Sequence, residues 1–319
     1  MRAAVSSPEG LVLHDVAVPE PGAEQLLVKV AAAGMNRADL NAARGAGVAR
    51  PEDMGRPIGM EWAGEVVALG TDVAGFALGD LVACSGTGGY AEFAVCDAGR
   101  AIRITPGTLD LQAAAALPLV LMTAHNALAL GAFAPGSNVF VHGASSAVGI
   151  AAIQIARLHG AGRIGASARN PAKRDRLTGY GADMVFAPGP GWAAEWLNAC
   201  GGADVLVDMI AGPAFDETLS AMALLGRLVL VGRLGGTRAE FDLDRIMLKR
   251  LSVVGATFRT RSIGEVRAIV EGVRRDVWPH VLGGRLTLPV DHIFPLAEAA
   301  QAHALMAGDG HFGKIVLVP

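Results

Sequence analysis

VFVHGASSAVGIAAIQIA, residues 139–156, is the stretch whose reading decides the fold. NVFVHG (138–143) is an apolar run of strand length, and AVGIAAIQIARLHGA (147–161) has the apolar period of an amphipathic helix. Between them lie Gly143, Ala144, Ser145, Ser146, Ala147, Val148 and Gly149, with almost no side-chain bulk. Such a turn lets backbone approach a pyrophosphate. The N–H groups at the helix start, at the positive end of its dipole, then hold the phosphate oxygens. Ser146 and Ala147 stand where a dinucleotide fingerprint favours glycine, so the loop alone also fits a plain strand-to-helix turn.

The flanking sequence favours the dinucleotide. RIGASA (163–168), DMVF (183–186), ADVLVDMI (203–210), RLVLVG (227–232) and LSVVGATF (251–258) read as strands. PAKRDRLTGYGA (171–182), GWAAEWLNACG (191–201) and PAFDETLSAMALLG (213–226) read as the helices that alternate with them. This alternation predicts an α/β domain with a doubly wound parallel sheet. NAD-specific sites usually end the second strand in Asp or Glu, for the ribose 2′-hydroxyl. Here that place carries Ala168, between Ser167 and Arg169, with Lys173 beyond. A hydroxyl and two cations suit a 2′-phosphate, which predicts NADPH over NADH. Arg169 and Lys173 also fit a solvated helix start. Ligands bind at the carboxyl ends of such strands, so Gly232 with Arg233 and Phe258 with Arg259 are further cofactor candidates. Asp208 either contacts the cofactor or caps the next turn, and His142 reads as structural.

The N-terminal part has a different character. LLVKVAAAG (26–34), GEVVALG (64–70) and GDLVAC (79–84) are β-type runs, with proline and glycine punctuating 51–89. They predict an antiparallel, partly barrel-like, β-rich domain. LDLQAAAALPLVLMTAHNALALG (109–131) is helical in pattern and broken or kinked at Pro118. After residue 260 come a helix over 263–278, a helix over 296–308 and a strand, KIVLVP (314–319). The middle sheet is already complete, so this tail is expected to rejoin the first domain. The predicted domains are 1–117, completed by 260–319, and 118–259.

Composition narrows the function. Of 319 residues, 52% are hydrophobic and 18% charged, enough to fill a large core. The formal charge of −3 and the lack of basic runs give no nucleic-acid footprint. Cys84, Cys96 and Cys200 form neither a disulfide framework nor a metal knuckle, so a reducing, cytoplasmic compartment is the simplest reading. The N-terminus lacks an apolar signal core, and the longest apolar stretch (111–124) contains Gln112 and Pro118. Neither predicts a membrane anchor.

AAAGMNRADL (31–40), PIGMEWAGEVVALG (57–70), GGYAEFAV (88–95), AAALPLVLMTAHNAL (114–128), the phosphate loop and HFGKIVLVP (311–319) occur in a familiar order. On these segments the chain resembles the medium-chain dehydrogenase/reductase superfamily, in its zinc-independent quinone oxidoreductase branch. The resemblance implies a GroES-like catalytic domain, a Rossmann domain, an active site in the cleft between them, and homodimers joined through an edge strand at LSVVGATF. Zinc alcohol dehydrogenases of this superfamily carry a cysteine after the AAAG strand and a histidine in a G-H-E motif. Met35-Asn36 and Gly59-Met60-Glu61 occupy those places. A thioether and an amide are poor zinc donors, so no metal site is expected, and Glu61 is expected in an ion pair.

The resemblance further sets Asn36 and Thr123 beside the nicotinamide and the substrate. Asn36 either donates to a substrate carbonyl or caps the helix at Arg37, and Thr123 either lines the site or bonds its own turn. Asp39 orients the turn, and Tyr90 packs the fold, with proton donation as the lesser alternative. Lys314 matches a family feature and also fits a solvated lysine. Many relatives have a tyrosine shortly after the position of Arg44. Here Gly45-Ala46-Gly47-Val48-Ala49 follows, which points to a roomier or more mobile pocket. Without a Lewis acid, the expected chemistry is hydride transfer from NADPH to an acceptor that delocalises charge, such as a quinone. An enone, enal or enoyl-thioester is the alternative, and a redox sensor or scaffold that binds NADPH without turnover is the alternative of another class.

Overall fold

Alternating apolar residues build the strand at the centre of the first unit, where Leu26, Val28, Val30 and Ala32 are all buried. The computed structural model describes residues 1–7, 10–43 and 55–319. They form two compact units, Met1–Val120 with Arg261–Pro319, and Leu121–Thr260.

In the first unit, β1 (Arg2–Ser7) and β2 (Gly10–Asp15) form an antiparallel pair. β3 (Gln25–Gly34) leads into α1 (Arg37–Ala43) and pairs antiparallel with β4 (Glu61–Leu69). β5 (Leu81–Ser85), β6 (Phe93–Asp97) and β7 (Ala101–Ile104) extend the sheet, with β6 bonded to β3. Asp110 then caps α2 (Leu111–Ala115), accepting from Gln112 N and Ala113 N at 2.9 and 3.1 Å. Pro118 opens a new helix, α3 (Pro118–Leu130), at a position where its missing N–H has no helical partner to lose. The boundary between the units falls inside α3.

The second unit alternates β8 (Val139–His142), α4 (Ala147–Leu158), β9 (Ile164–Ser167), α5 (Pro171–Leu177), β10 (Met184–Phe186), α6 (Trp192–Cys200), β11 (Ala203–Asp208), α7 (Phe215–Ser220), β12 (Met222–Leu230), α8 (Leu243–Lys249) and β13 (Ser252–Gly255). The strand order is β10-β9-β8-β11-β12-β13, and all pairings are parallel. Connections leave β8 in both directions, so the order reverses between β8 and β11. The carboxyl ends of those two strands, at His142 and Asp208, are where such a sheet opens a binding crevice. Phe140 anchors one side of the core, stacked on Trp192 at 4.4 Å between centroids and edge-on to Trp196 at 5.4 Å.

One expected helix is shorter than its sequence suggests. The pattern over 213–226 predicts a single helix, yet α7 stops at Ser220 and Met222 already pairs with Ala203 in the sheet. The Thr218 and Ser220 hydroxyls bond back to Ala214 O and Asp216 O, and Leu225 has a φ of 65°, outside the helical region. Leu224 and Leu225 stay exposed at 59% each. β13 likewise covers only part of LSVVGATF.

The chain then returns to the first unit. α9 (Ile263–Asp276) starts with a capping box between Ser262 and Glu265, and α10 (Trp278–Leu282) follows. Arg267 on α9 pairs with Asp97 and Glu24, which ties the helix to the β-rich unit. β14 (Val290–Pro295), α11 (Ala299–Ala307) and β15 (Lys314–Val318) complete it, and β15 bonds antiparallel to β3. Among the described residues no helix is long and apolar enough to cross a membrane.

Candidate active site

Three neighbouring strands bring Asn36, Glu61 and Lys314 together. Gly34 lies opposite both Glu61 on β4 and Val316 on β15. Continuing the antiparallel register by two residues sets Lys314 beside Asn36, and Met35 N bonds Ile315 O at 2.9 Å. Lys314 Nζ donates to Glu61 Oε1, to the Met35 carbonyl and, at 3.1 Å, to Asn36 Oδ1. Asn36 Nδ2 donates to Glu61 Oε1 at 2.9 Å, and Leu119 N donates to Glu61 Oε2 at 2.8 Å. Lys314 is 1% exposed, so it is an inward-facing cation and not a solvated one. Asn36 Oδ1, the atom a helix cap would use, is taken by Lys314.

Asp39 locks the turn that carries Asn36. Its Oδ2 accepts from Asn36 N and from Tyr90 Oη, each at 2.8 Å. Asp39 Oδ1 is buried with no hydrogen-bond partner. Burial is the main force raising the Asp39 pKa from 3.8 to about 7, against the opposing Tyr90 and Asn36 hydrogen bonds and the Lys314 charge. Burial, followed by the neighbouring Asp39 carboxyl, pushes the Tyr90 phenol well above its ordinary range. Gly59, with φ +104°, makes room for this ring. A Cβ there would lie 2.3 Å from Tyr90 Cδ1.

This donor set does not suit zinc. Glu61 already holds an ammonium against its carboxylate, and the neighbouring groups are an amide and a methionine carbonyl. Among the described residues no group of three His, Cys, Asp or Glu side chains comes together as a metal site. No step is therefore assigned to a metal. The residues following Arg44, read above as a roomier pocket, lie outside the described residues.

In the second unit the loop after β8 does fit a dinucleotide. Ser146 caps α4, its Oγ accepting from Gly149 N at 3.1 Å and donating to Gly143 O at 3.0 Å. The first helical N–H groups, at Ala147 and Val148, have no acceptor within the helix. A Cβ at Gly149 would lie 2.6 Å from Ala144 Cα, so only glycine lets the helix sit this tightly on the loop. Gly143 and Ala144 are tied to Ser167 at the end of β9, through Gly143 N to Ser167 Oγ at 3.3 Å and Ala144 N to Ser167 O at 2.8 Å. Ser167 is buried beneath the loop.

The remaining sequence candidates lie at or after the ends of β8, β9, β11, β12 and β13, apart from Lys173 on α5 and Thr123 on α3. Ser145 is partly exposed within the loop, and Arg169 is exposed just past β9. Lys173 lies on the first turns of α5, behind the Asn170 cap. Asp208 is fully buried. It accepts from Ile210 N and Ala211 N at 2.7 and 3.1 Å, and His142 Nδ1 lies 3.4 Å away. Its carboxylate thus holds the turn after β11. Gly232 N bonds Asp208 O at 3.1 Å, which sets Gly232 next to that turn, with Arg233 exposed beside it. Phe258 and Arg259 follow β13, and Thr123 is partly exposed on α3. Arg174 was not singled out from sequence. It donates to Ala168 O and Arg169 O at 3.0 and 2.9 Å, closing the strand end where the cofactor's ribose is expected.

Residues 22–106 match the family "Alcohol dehydrogenase GroES-like domain", and residues 147–273 match "Zinc-binding dehydrogenase". Quinone oxidoreductase of Rattus norvegicus is 32% identical over 322 residues, spanning 98% of this chain and 94% of that protein. The chain belongs to the medium-chain dehydrogenase/reductase superfamily, in its quinone oxidoreductase branch. This medium-chain reductase is therefore an oxidoreductase, and its Rossmann-type dehydrogenase fold supports a nicotinamide cofactor. A solved structure of mycobacterial Rv1454c complexed with NADPH superposes with a TM-score of 0.87 at 26% identity, over 100% of both chains. A mycocerosic acid synthase-like polyketide synthase of Mycobacterium tuberculosis is 32% identical over 305 residues, which cover 93% of this chain and 14% of that much longer protein.

Proposed function

We propose that this reductase transfers hydride from NADPH to a quinone-type acceptor without zinc. One observation carries the reading. By the resemblance, Met35-Asn36 and Gly59-Met60-Glu61 stand where alcohol dehydrogenases carry metal ligands, and there Asn36 and Glu61 hold the Lys314 ammonium by hydrogen bonds. An ammonium buried against a carboxylate leaves no open coordination position to activate a simple alcohol. An acceptor that spreads negative charge over its own conjugated system needs only positioning and a hydrogen-bond donor.

In this reading the loop from Gly143 to Gly149 holds the pyrophosphate, and Arg169 and Lys173 meet the 2′-phosphate. The bound dinucleotide supplies the hydride. Asn36 offers its amide N–H to the acceptor's carbonyl oxygen, and Asp39 and Tyr90 keep the turn in place. Reduction of an enone or enoyl-thioester uses the same groups, and the similarity to part of a polyketide synthase favours keeping that second reading. A cytoplasmic location fits the free thiols Cys84, Cys96 and Cys200. Self-association through the β13 edge fits the apolar side chains exposed around it. Val253 is 40% exposed on the strand, and Leu243, Met247 and Leu248 on α8 are 66–71% exposed.

Oxidation of NADPH against a panel of quinones and enones, with and without a zinc chelator, tests the proposal. Turnover of conjugated acceptors, unchanged by the chelator, is expected. Activity confined to simple alcohols or lost on chelation would reject it.

A further inference from the structure

The amide of Asn36 is gripped at both ends. Oδ1 accepts from Lys314 Nζ, and Nδ2 donates to Glu61 Oε1. An ammonium only donates, and a carboxylate only accepts. Turning the amide over would set NH2 against the ammonium and C=O against the carboxylate, so both contacts would become repulsive. The two partners are fixed in turn, Lys314 by the Met35 carbonyl and Glu61 by Leu119 N. Their side chains are 2% and 0% exposed. Asn36 is only half-buried, so it is the one member of the trio with a face toward solvent. One of its two amide hydrogens is spent on Glu61, which leaves the other to donate.

We infer that Lys314 and Glu61 are positioning residues that fix the orientation of the Asn36 amide, so that this site presents an N–H donor and selects acceptors with a carbonyl oxygen. The inference rests on the reading that Asn36 donates to the acceptor. Burying a full ion pair is costly in stability, and in some proteins such a pair is kept because it specifies a single arrangement. The same pair without Asn36 would have no orientation to impose.

The double variant E61Q/K314M removes both charges at similar bulk and strands neither. It is expected to fold and to keep its NADPH dissociation constant within about threefold, while kcat with a quinone falls about tenfold, a factor of ten in rate being about 1.4 kcal/mol in the barrier. N36A alone is expected to lose as much or more. The triple variant N36A/E61Q/K314M is expected to be no slower than N36A, because the pair acts through Asn36. A double variant with native kcat, or losses that multiply in the triple, would overturn the inference. Native kcat in N36A would instead bring down the role of Asn36 itself, and the inference with it. Should the double variant fail to fold, E61D replaces it. It keeps the charge pair and withdraws the carboxylate from Nδ2, so the same drop, non-additive with N36A, is expected, and native kcat overturns the inference.

Discussion

Tyr90 Oη donates to Asp39 Oδ2 at 2.8 Å, and both side chains are withdrawn from solvent. The contact ties the segment at Tyr90, whose ring packs on Gly59, to the turn that carries Asn36. It also leaves Asp39 with one oxygen engaged twice and the other unpaired.

A pH signature in stability follows. The Asp39 carboxyl titrates near pH 7 in the folded chain and near 3.8 unfolded, so the native state holds its proton more tightly. The stabilisation is complete at low pH, declines as pH rises from about 4, and is gone above about 7. Chemical denaturation across that window should show a loss on the order of 2–4 kcal/mol that is missing in Asp39→Asn. Parallel curves for the two proteins would contradict this assignment.

The phosphate loop predicts its own weak point. A Cβ at Gly149 has nowhere to go without pushing Ala144, so Gly149→Val should lower dinucleotide affinity about tenfold or more, worth about 1.4 kcal/mol per decade. Fluorescence titration with NADPH measures this, and native affinity would mean that the loop does not bear on the cofactor.

Cofactor preference should follow two cations. Arg169→Ala with Lys173→Ala should raise KM for NADPH about 10–100-fold and leave KM for NADH nearly unchanged, as expected for losing charge-assisted bonds of roughly 1.5–3 kcal/mol. Equal increases for both cofactors would argue that these side chains do not meet the 2′-phosphate.

The apolar face around the β13 edge makes a prediction about association. Leu243→Asp with Leu248→Asp, both more than two-thirds exposed at 71% each, should convert a dimer to monomers in sedimentation velocity while far-ultraviolet circular dichroism stays native. A wild-type chain that sediments as a monomer would remove the premise.

Legibility from sequence followed the distance over which each feature is decided. The phosphate loop was readable because strand, small-residue turn and helix are consecutive. Even its departure from glycine has a local cause, since the Ser146 hydroxyl serves the Gly149 N–H three residues on. The β-rich start and the break at Pro118 were readable for the same reason. The stretch from Ala221 to Leu225 was not, because its leucines suit a helix and a strand alike, and pairing with Ala203 decides between them. Glu61 was expected in an ion pair, but its partner lies 253 residues away and is set beside it only by the register of β15 against β3. A lysine ahead of an apolar run looks solvated until that register is known.

That separation has a consequence for how the protein is made. The ribosome delivers Asn36 and Glu61 early and Lys314 only after the whole of Leu121–Thr260 has emerged. The second unit is contiguous and is free to fold during translation, while the unit begun first waits with an uncompensated carboxylate at its centre. Nascent chains stalled before β15 should therefore expose the first unit to proteases while the second already resists them.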